Sequence, residues 1–277
     1  MTALIFLHLP KTAGMTLRPV VSKRYKLSTT YRIESDVNAD INRFIAMPAT
    51  DRYSIDLLMG HMSFGLHEYL EPGTKYVTVL RDPIERVWSE YRFLRSNTFH
   101  PLHTAVSNMS LQDYLTSNIT NQASNGQTRL LCGNHKPGFP GIAARDALHE
   151  GHLQLAINNL KYHFLVAGSQ EYFDETLLLL KARLKWWGWP VYVRRNVTLG
   201  KKEALTSEEA ELIRSANTLD VELYQHVMNV LKSDIQRGGE KFQGQLRRFR
   251  KLNRWYQFGL LLPLHCKIVA RRLIGKQ

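Results

Sequence analysis

The residues predict an α/β chain, a mostly parallel sheet flanked by helices. Three observations carry that prediction. Short β-rich apolar runs recur at 3–8, 53–59, 76–80, 163–167 and 191–193. Helical periodicity occupies much of the intervening sequence, at 16–23, 83–94, 111–118, 152–160, 174–186, 207–217 and 219–232. At 277 residues the chain can bury a sizeable core in one unit. Strands separated by helices favour parallel pairing, since a parallel neighbour needs a long crossover. No internal repeat is present.

The first strand, an apolar run at 3–7, ends in a short turn that carries Lys11, Thr12, Ala13 and Gly14, and a helix starts near Met15 and Thr16. A strand that hands over to a helix N-terminus leaves backbone N–H groups for an anion, and the helix dipole adds to their pull. Lys11 supplies a full charge, and Gly14 lets the backbone approach a ligand closely. The Walker pattern G-x-x-x-x-G-K-[ST] is not met, because Lys11 precedes the glycine and no leading glycine exists. The plainer alternative is a strand–turn–helix with a solvated lysine.

Residues 75–94, KYVTVLRDPIERVWSEYRFL, repeat the arrangement. Asp82 is an N-cap and Pro83 suits the first helical position. Ile84, Val87, Trp88, Tyr91 and Leu94 then mark one helix face. Arg81 sits at the strand end and Ser89 two turns into the helix. A guanidinium grips a phosphate through two parallel hydrogen bonds. Between the two segments runs Gly60-His61-Met62-Ser63-Phe64. Histidine, with an ordinary pKa of ~6.5, is suited to take a proton at neutral pH. A hydrogen-bonded histidine at a strand end is the bland reading of His61.

HLPKTAGMTL resembles the 5′-phosphosulfate loop of sulfotransferases that use 3′-phosphoadenosine-5′-phosphosulfate (PAPS). The likeness is to the carbohydrate group around heparan sulfate 2-O-sulfotransferase, in which a similar H-x-P-K-T-[AG]-[GS]-[ST]-[ST] stretch occurs; Met15 departs from it. Arg81 followed by Ser89 resembles the 3′-phosphate motif, and GHMSF resembles the segment that holds the family's catalytic histidine. The resemblance implies a P-loop-like sulfotransferase fold over residues 1–235. It implies in-line transfer of a sulfuryl group from PAPS to a hydroxyl acceptor, a carbohydrate or glycolipid, with adenosine 3′,5′-bisphosphate (PAP) as product. Lys11 and His61 become the catalytic pair. Lys11, Thr12, Ala13, Gly14, Met15, Thr16, Arg81 and Ser89 become nucleotide ligands, joined by Asn196, Thr198 and Lys201 from a later basic turn. Gln127, Arg129 and His67 fall to the acceptor side, Gln127 and Arg129 through an N-x-Q-T-R run. A P-loop nucleotide kinase and a non-catalytic polyanion- or membrane-binding protein are the alternatives. The lysine order and the lack of a Walker-B aspartate count against the kinase.

The rest of the chain sets bounds. Residues 121–145, rich in Gly, Asn and Pro, read as a loop over the acceptor. Trp186, Trp187 and Trp189 read as core. Cys132 and Cys266 give no disulfide framework, and no His/Cys cluster has metal-ligand spacing. No charged n-region precedes the first strand, so a cytoplasmic enzyme of bacterial type is expected. The formal charge of +13 is uneven. From 236 to 277 there are eleven Lys and Arg against one Glu, a tail of +10, which leaves +3 for the body. Trp255, Tyr256 and Phe258 interleave the tail's charges. That pattern suits an interfacial helix on an anionic inner leaflet, or equally a C-terminal helix packed on the body. No aromatic platform for nucleic acid is present in the body.

Overall fold

A computed structural model describes residues 2–34, 36–117, 119–133, 147–194 and 204–274, with side chains to residue 259. The strands are β1 (Leu4–Leu7), β2 (Thr30–Ile33), β3 (Leu57–Gly60), β4 (Lys75–Leu80) and β5 (Phe164–Ser169). In chain order the helices begin with α1 (Gly14–Ser22), α2 (Val37–Ala46), α3 (Ala49–Tyr53), α4 (Pro83–Ser96), α5 (His103–Val106) and α6 (Leu111–Thr116). They continue with α7 (Gly126–Cys132), α8 (Glu150–His163), α9 (Phe173–Arg183), α10 (Ser207–Ala216), α11 (Thr218–Arg237) and α12 (Gly239–Ile274).

The sheet is five-stranded and parallel at every pairing, in the order β2-β3-β1-β4-β5. Alternate residues of each strand go to opposite faces. Ile5, Leu7, Leu58, Tyr76 and Leu80 join α2, α7, α8 and α11 in one core. Leu4, Phe6, Leu57, Met59, Val77 and Val79 join α1, α9 and α12 in the other. Both faces are therefore covered, as a parallel sheet requires. A third cluster ties α4 to α6 and α10 through Val87, Tyr91, Tyr114 and Ile213. The chain winds from β1 toward β2 on one side and from β3 across to β4 on the other. The reversal falls between β1 and β4, where ligands of such sheets bind at the strands' carboxyl ends.

Several expectations need correction. The run at 53–59 splits, with α3 taking Tyr53 and only Leu57–Gly60 forming strand. Residues 191–193 are not a strand; the Tyr192 N–H goes instead to Asn253 Oδ1 at 2.8 Å, and its ring packs on Phe173 and Phe249. Within the expected loop, Gly126–Cys132 is the buried helix α7, while residues 134–146 lie outside the described residues. The edge strand β2 and the helices α2 and α3 were not anticipated.

The tail starts inside the body. Phe242, Leu246, Phe249 and Asn253 of α12 are buried at helical spacing, and Arg250 pairs with Asp174 and Glu175 of α9. Beyond Asn253 the side chains turn outward, with Trp255 69% and Phe258 61% exposed. Among the described residues, no helix is long and apolar enough to cross a membrane.

Candidate functional site

β1 hands its chain to α1 through a tight loop. The His8 N–H extends the pairing to the Gly60 carbonyl at 2.9 Å, and the buried Thr12 hydroxyl donates back to the Leu9 carbonyl at 2.8 Å. Lys11 and Ala13 both stand in the left-handed region, at φ 65° and 63°. Two non-glycine residues held there store strain of about 1–3 kcal/mol each, and such strain collects at ligand sites. Left-handed residues also gather successive N–H groups into a concavity that suits an anion. Ala13 is the N-cap of α1 and no side chain caps the helix; the Thr16 N–H turns back to the Ala13 carbonyl at 2.9 Å, so the Gly14 and Met15 N–H groups are the first-turn donors placed for a ligand. Thr16 is buried in that turn.

Gly14 has a reason beyond ligand approach. A Cβ built on it would lie 1.8 Å from Cδ2 and 1.9 Å from Nε2 of His8. The His8 imidazole therefore packs directly over the start of α1. It also stacks on His61, with ring centroids 4.2 Å apart at 25°. His61 Nδ1 lies 2.8 Å from the His8 carbonyl oxygen. A carbonyl can only accept, so Nδ1 carries the proton and Nε2 is left bare as a base. Burial, with a smaller push from Arg18, holds His61 below the ordinary histidine value, against the pull of that carbonyl bond. Burial pushes His8 much further down. Both rings are neutral at pH 7.

The second loop meets the first. Arg81 directly follows β4, and its Nη1 donates to the Lys11 carbonyl at 3.3 Å. Its Nη2 pairs with Glu85 at 3.0 Å. Lys11 Nζ lies 4.0 Å from the centroid of the Phe93 ring on α4. Ser89 sits one turn from both Glu85 and Phe93, on the same helix face. The expected nucleotide residues of the two loops are thus brought together at the strand reversal. Burial lowers the Lys11 pKa; Glu90 opposes the shift and Arg81 adds to it. Glu90 is itself buried and pairs with the fully enclosed Arg86 at 3.0 Å. Neither Glu90 nor Phe93 was anticipated, although both fall on the predicted α4.

Gln127 has a different place from the one expected. Its side-chain amide pairs with the Arg81 backbone as a neighbouring strand would: Oε1 accepts the Arg81 N–H at 3.0 Å, and Nε2 donates to the Arg81 carbonyl at 2.9 Å. It is 1% exposed, so it fixes Arg81 instead of facing an acceptor. The fold holds Gln127 in turn. Asp220, fully buried at the start of α11, accepts the N–H groups of Gln127 and Thr128 at 3.0 and 2.7 Å. Arg129 is buried in α7. His67 is not brought to the site. It bonds Tyr76 Oη at 3.0 Å near the amino end of β4 and packs on Phe64 and His163. Burial there lowers its pKa to about 4. Asn196, Thr198 and Lys201 lie outside the described residues. Among the described residues no cluster of His, Cys, Asp or Glu could hold a metal ion.

A profile of the galactose-3-O-sulfotransferase family matches residues 1–259. Human galactose-3-O-sulfotransferase 2 is 24% identical over 271 residues, which cover 91% of this chain and 66% of that protein. Bovine galactosylceramide sulfotransferase is 26% identical over 237 residues, 80% of this chain and 55% of the relative. The chain thus spans about half to two thirds of the length of these relatives. A mouse sulfotransferase, SULT7A1 complexed with PAP, aligns over 78% of this chain and 64% of its own at 14% identity and a TM-score of 0.39. The motifs led to the heparan sulfate 2-O-sulfotransferase group; the profile that matches is the galactose-3-O one.

Proposed function

This chain belongs to the galactose-3-O-sulfotransferase family, and on that premise we propose that it moves a sulfuryl group from PAPS to a hydroxyl of a carbohydrate or glycolipid. The observation that carries the reading is the junction of the two anion loops, the Arg81 guanidinium on the Lys11 carbonyl at 3.3 Å. When bound, PAPS would supply the sulfuryl group together with a bisphosphate leaving group.

The residues present fit such a donor. The Gly14 and Met15 N–H groups at the start of α1 and the left-handed loop before it suit the 5′-phosphate. Lys11, three residues ahead of Gly14 in the same loop, would neutralise charge that grows on the bridging oxygen, which lowers the transition state more than the ground state. Arg81 and Ser89 suit the 3′-phosphate. To take it, Arg81 exchanges its bond to Glu85, a half-exposed side chain free to turn to water. His61 Nε2 accepts the proton of the attacking hydroxyl while the new O–S bond forms and the old one to the leaving phosphate breaks. Thr12 contributes through its backbone, since its hydroxyl is committed to Leu9. We assign the exposed stretch of α12 after Asn253, with Arg254, Trp255 and Phe258, to an anionic membrane surface near a glycolipid acceptor.

Calorimetry with PAP and transfer of labelled sulfate from PAPS test the reading together. The wild type is expected to bind PAP. Lys11→Ala loses rate and affinity, whereas His61→Ala loses turnover and keeps PAP. A wild type that ignores PAP, or that prefers ATP with magnesium, refutes it.

A further inference from the structure

Beside the anion loops lies a cleft of about 300 Å³, at the small end of ligand pockets, which run from roughly 300 to 1,000 Å³. His61 lines it, together with Met15 and Arg18 of α1 and with Ile33 and Glu34 at the end of β2. Arg18 and Glu34 form an ion pair across it, Arg18 26% and Glu34 49% exposed. An ion pair so open to water contributes little to stability. Its value to the fold does not account for its position. A guanidinium offers five donors and a carboxylate about four acceptor sites. One mutual contact leaves most of these for a ligand that both donates and accepts. Sugar hydroxyls do both.

Met15 completes the chemistry. It replaces the small hydroxyl residue of the motif it resembles, and its side chain is 39% exposed in this cleft. A thioether is an adaptable apolar surface, matched to the C–H face of a pyranose. With Nδ1 of His61 tied to the His8 carbonyl, only Nε2 remains for a hydroxyl that enters here. We propose that this cleft is the acceptor subsite, in which Arg18 and Glu34 hold neighbouring hydroxyls of one sugar ring while Met15 packs beneath it. The link to turnover rests on the sulfotransferase reading; the sugar site itself does not. The volume admits one monosaccharide unit and leaves the remainder of a glycan or lipid outside.

The test uses the full chain and methyl β-galactoside as probe. Saturation-transfer NMR reports sugar contact without any turnover, and PAP calorimetry runs in parallel. Arg18→Gln and Glu34→Gln are expected to cut the sugar signal at least about fivefold, as loss of hydrogen bonds to a charged group would. Met15→Ala, the mildest change, weakens it less. PAP affinity stays within about twofold in Arg18→Gln and Glu34→Gln, whose side chains pair with one another. A wild type without sugar contact, or variants that keep it, overturns the subsite. So does an Arg18→Gln protein that loses PAP and retains sugar, since Arg18 would then serve the nucleotide. If the wild type ignores PAP and sugar contact still depends on Arg18 and Glu34, the subsite stands and the transfer reading falls.

Discussion

Replacing Gly14 by Ala adds one carbon where the structure has none to spare. The new Cβ would stand 1.8–1.9 Å from two atoms of the His8 ring, far inside contact distance. The ring cannot slide away freely, because it is stacked with both His61, at 4.2 Å, and Phe6, at 5.6 Å. Overpacking of this kind costs about 1–3 kcal/mol. For a chain of this size that is a fall in melting temperature of roughly 2–10 °C. Calorimetric melts of four proteins decide it: wild type, Gly14→Ala, His8→Ala and the double variant. Each single change destabilises, the first by collision and the second by leaving a hole. In the double variant the alanine methyl occupies part of that hole. The combined loss is therefore expected to be smaller than the sum, with a coupling of at least about 1 kcal/mol. Strict additivity would refute the steric account of Gly14 and return it to ligand approach alone.

Gln127→Glu keeps the acceptor for the Arg81 N–H but sets a carboxylate oxygen against the Arg81 carbonyl, now 2.9 Å from an amide nitrogen. Losing that bond and burying an unmatched acceptor costs about 1–3 kcal/mol, and PAP affinity should drop at least about tenfold by calorimetry; an unchanged affinity would separate Gln127 from the nucleotide grip. The acid limb of kcat/KM should lie below ~6.5, the ordinary histidine pKa, because burial lowers His61. Stability follows the same sign: His8 and His61 stay neutral when folded, so their contribution is intact above that pH and fades as pH falls through the folded values, which denaturant titrations at pH 7 and 5 would register. Replacing the exposed Trp255 and Phe258 by Ser should leave the melt nearly unchanged and weaken co-sedimentation with acidic liposomes, whereas removing 239–277 strips Phe242, Leu246 and Phe249 from the core and should abolish cooperative folding.

What could be read from the residues was local. β1 and β4 are apolar runs, and the caps Asp82 and Pro83 announce α4; in the structure Asp82 accepts the Glu85 N–H at 3.0 Å. Lys11, Arg81 and His61 were placed at strand ends for the same reason. What was missed depends on partners far along the chain. β2 is four residues at the sheet edge, with Arg32 exposed in the middle, so it has little apolar signal. α7 looks like a loop because of Asn125 and Gly126, yet Asp220 caps it from 92 residues away. Val191–Val193 has strand composition, but the Tyr192 N–H is taken by Asn253 and not by a strand. Arg18 and Glu34 face one another only because β2 folds back beside α1, a contact across 16 residues that no periodicity announces.

The clasp of Asp220 on α7 has a consequence for how the protein comes into being. While the chain leaves the ribosome, both anion loops are synthesised within the first ninety residues. Arg81 nevertheless lacks the side chain that fixes its backbone until Gln127 is made. Gln127 lacks its own anchor until residue 220 emerges. At roughly 5–20 residues per second, that delay lasts on the order of ten seconds. A nascent chain thus carries both proposed anion loops well before it carries a rigid frame to hold them.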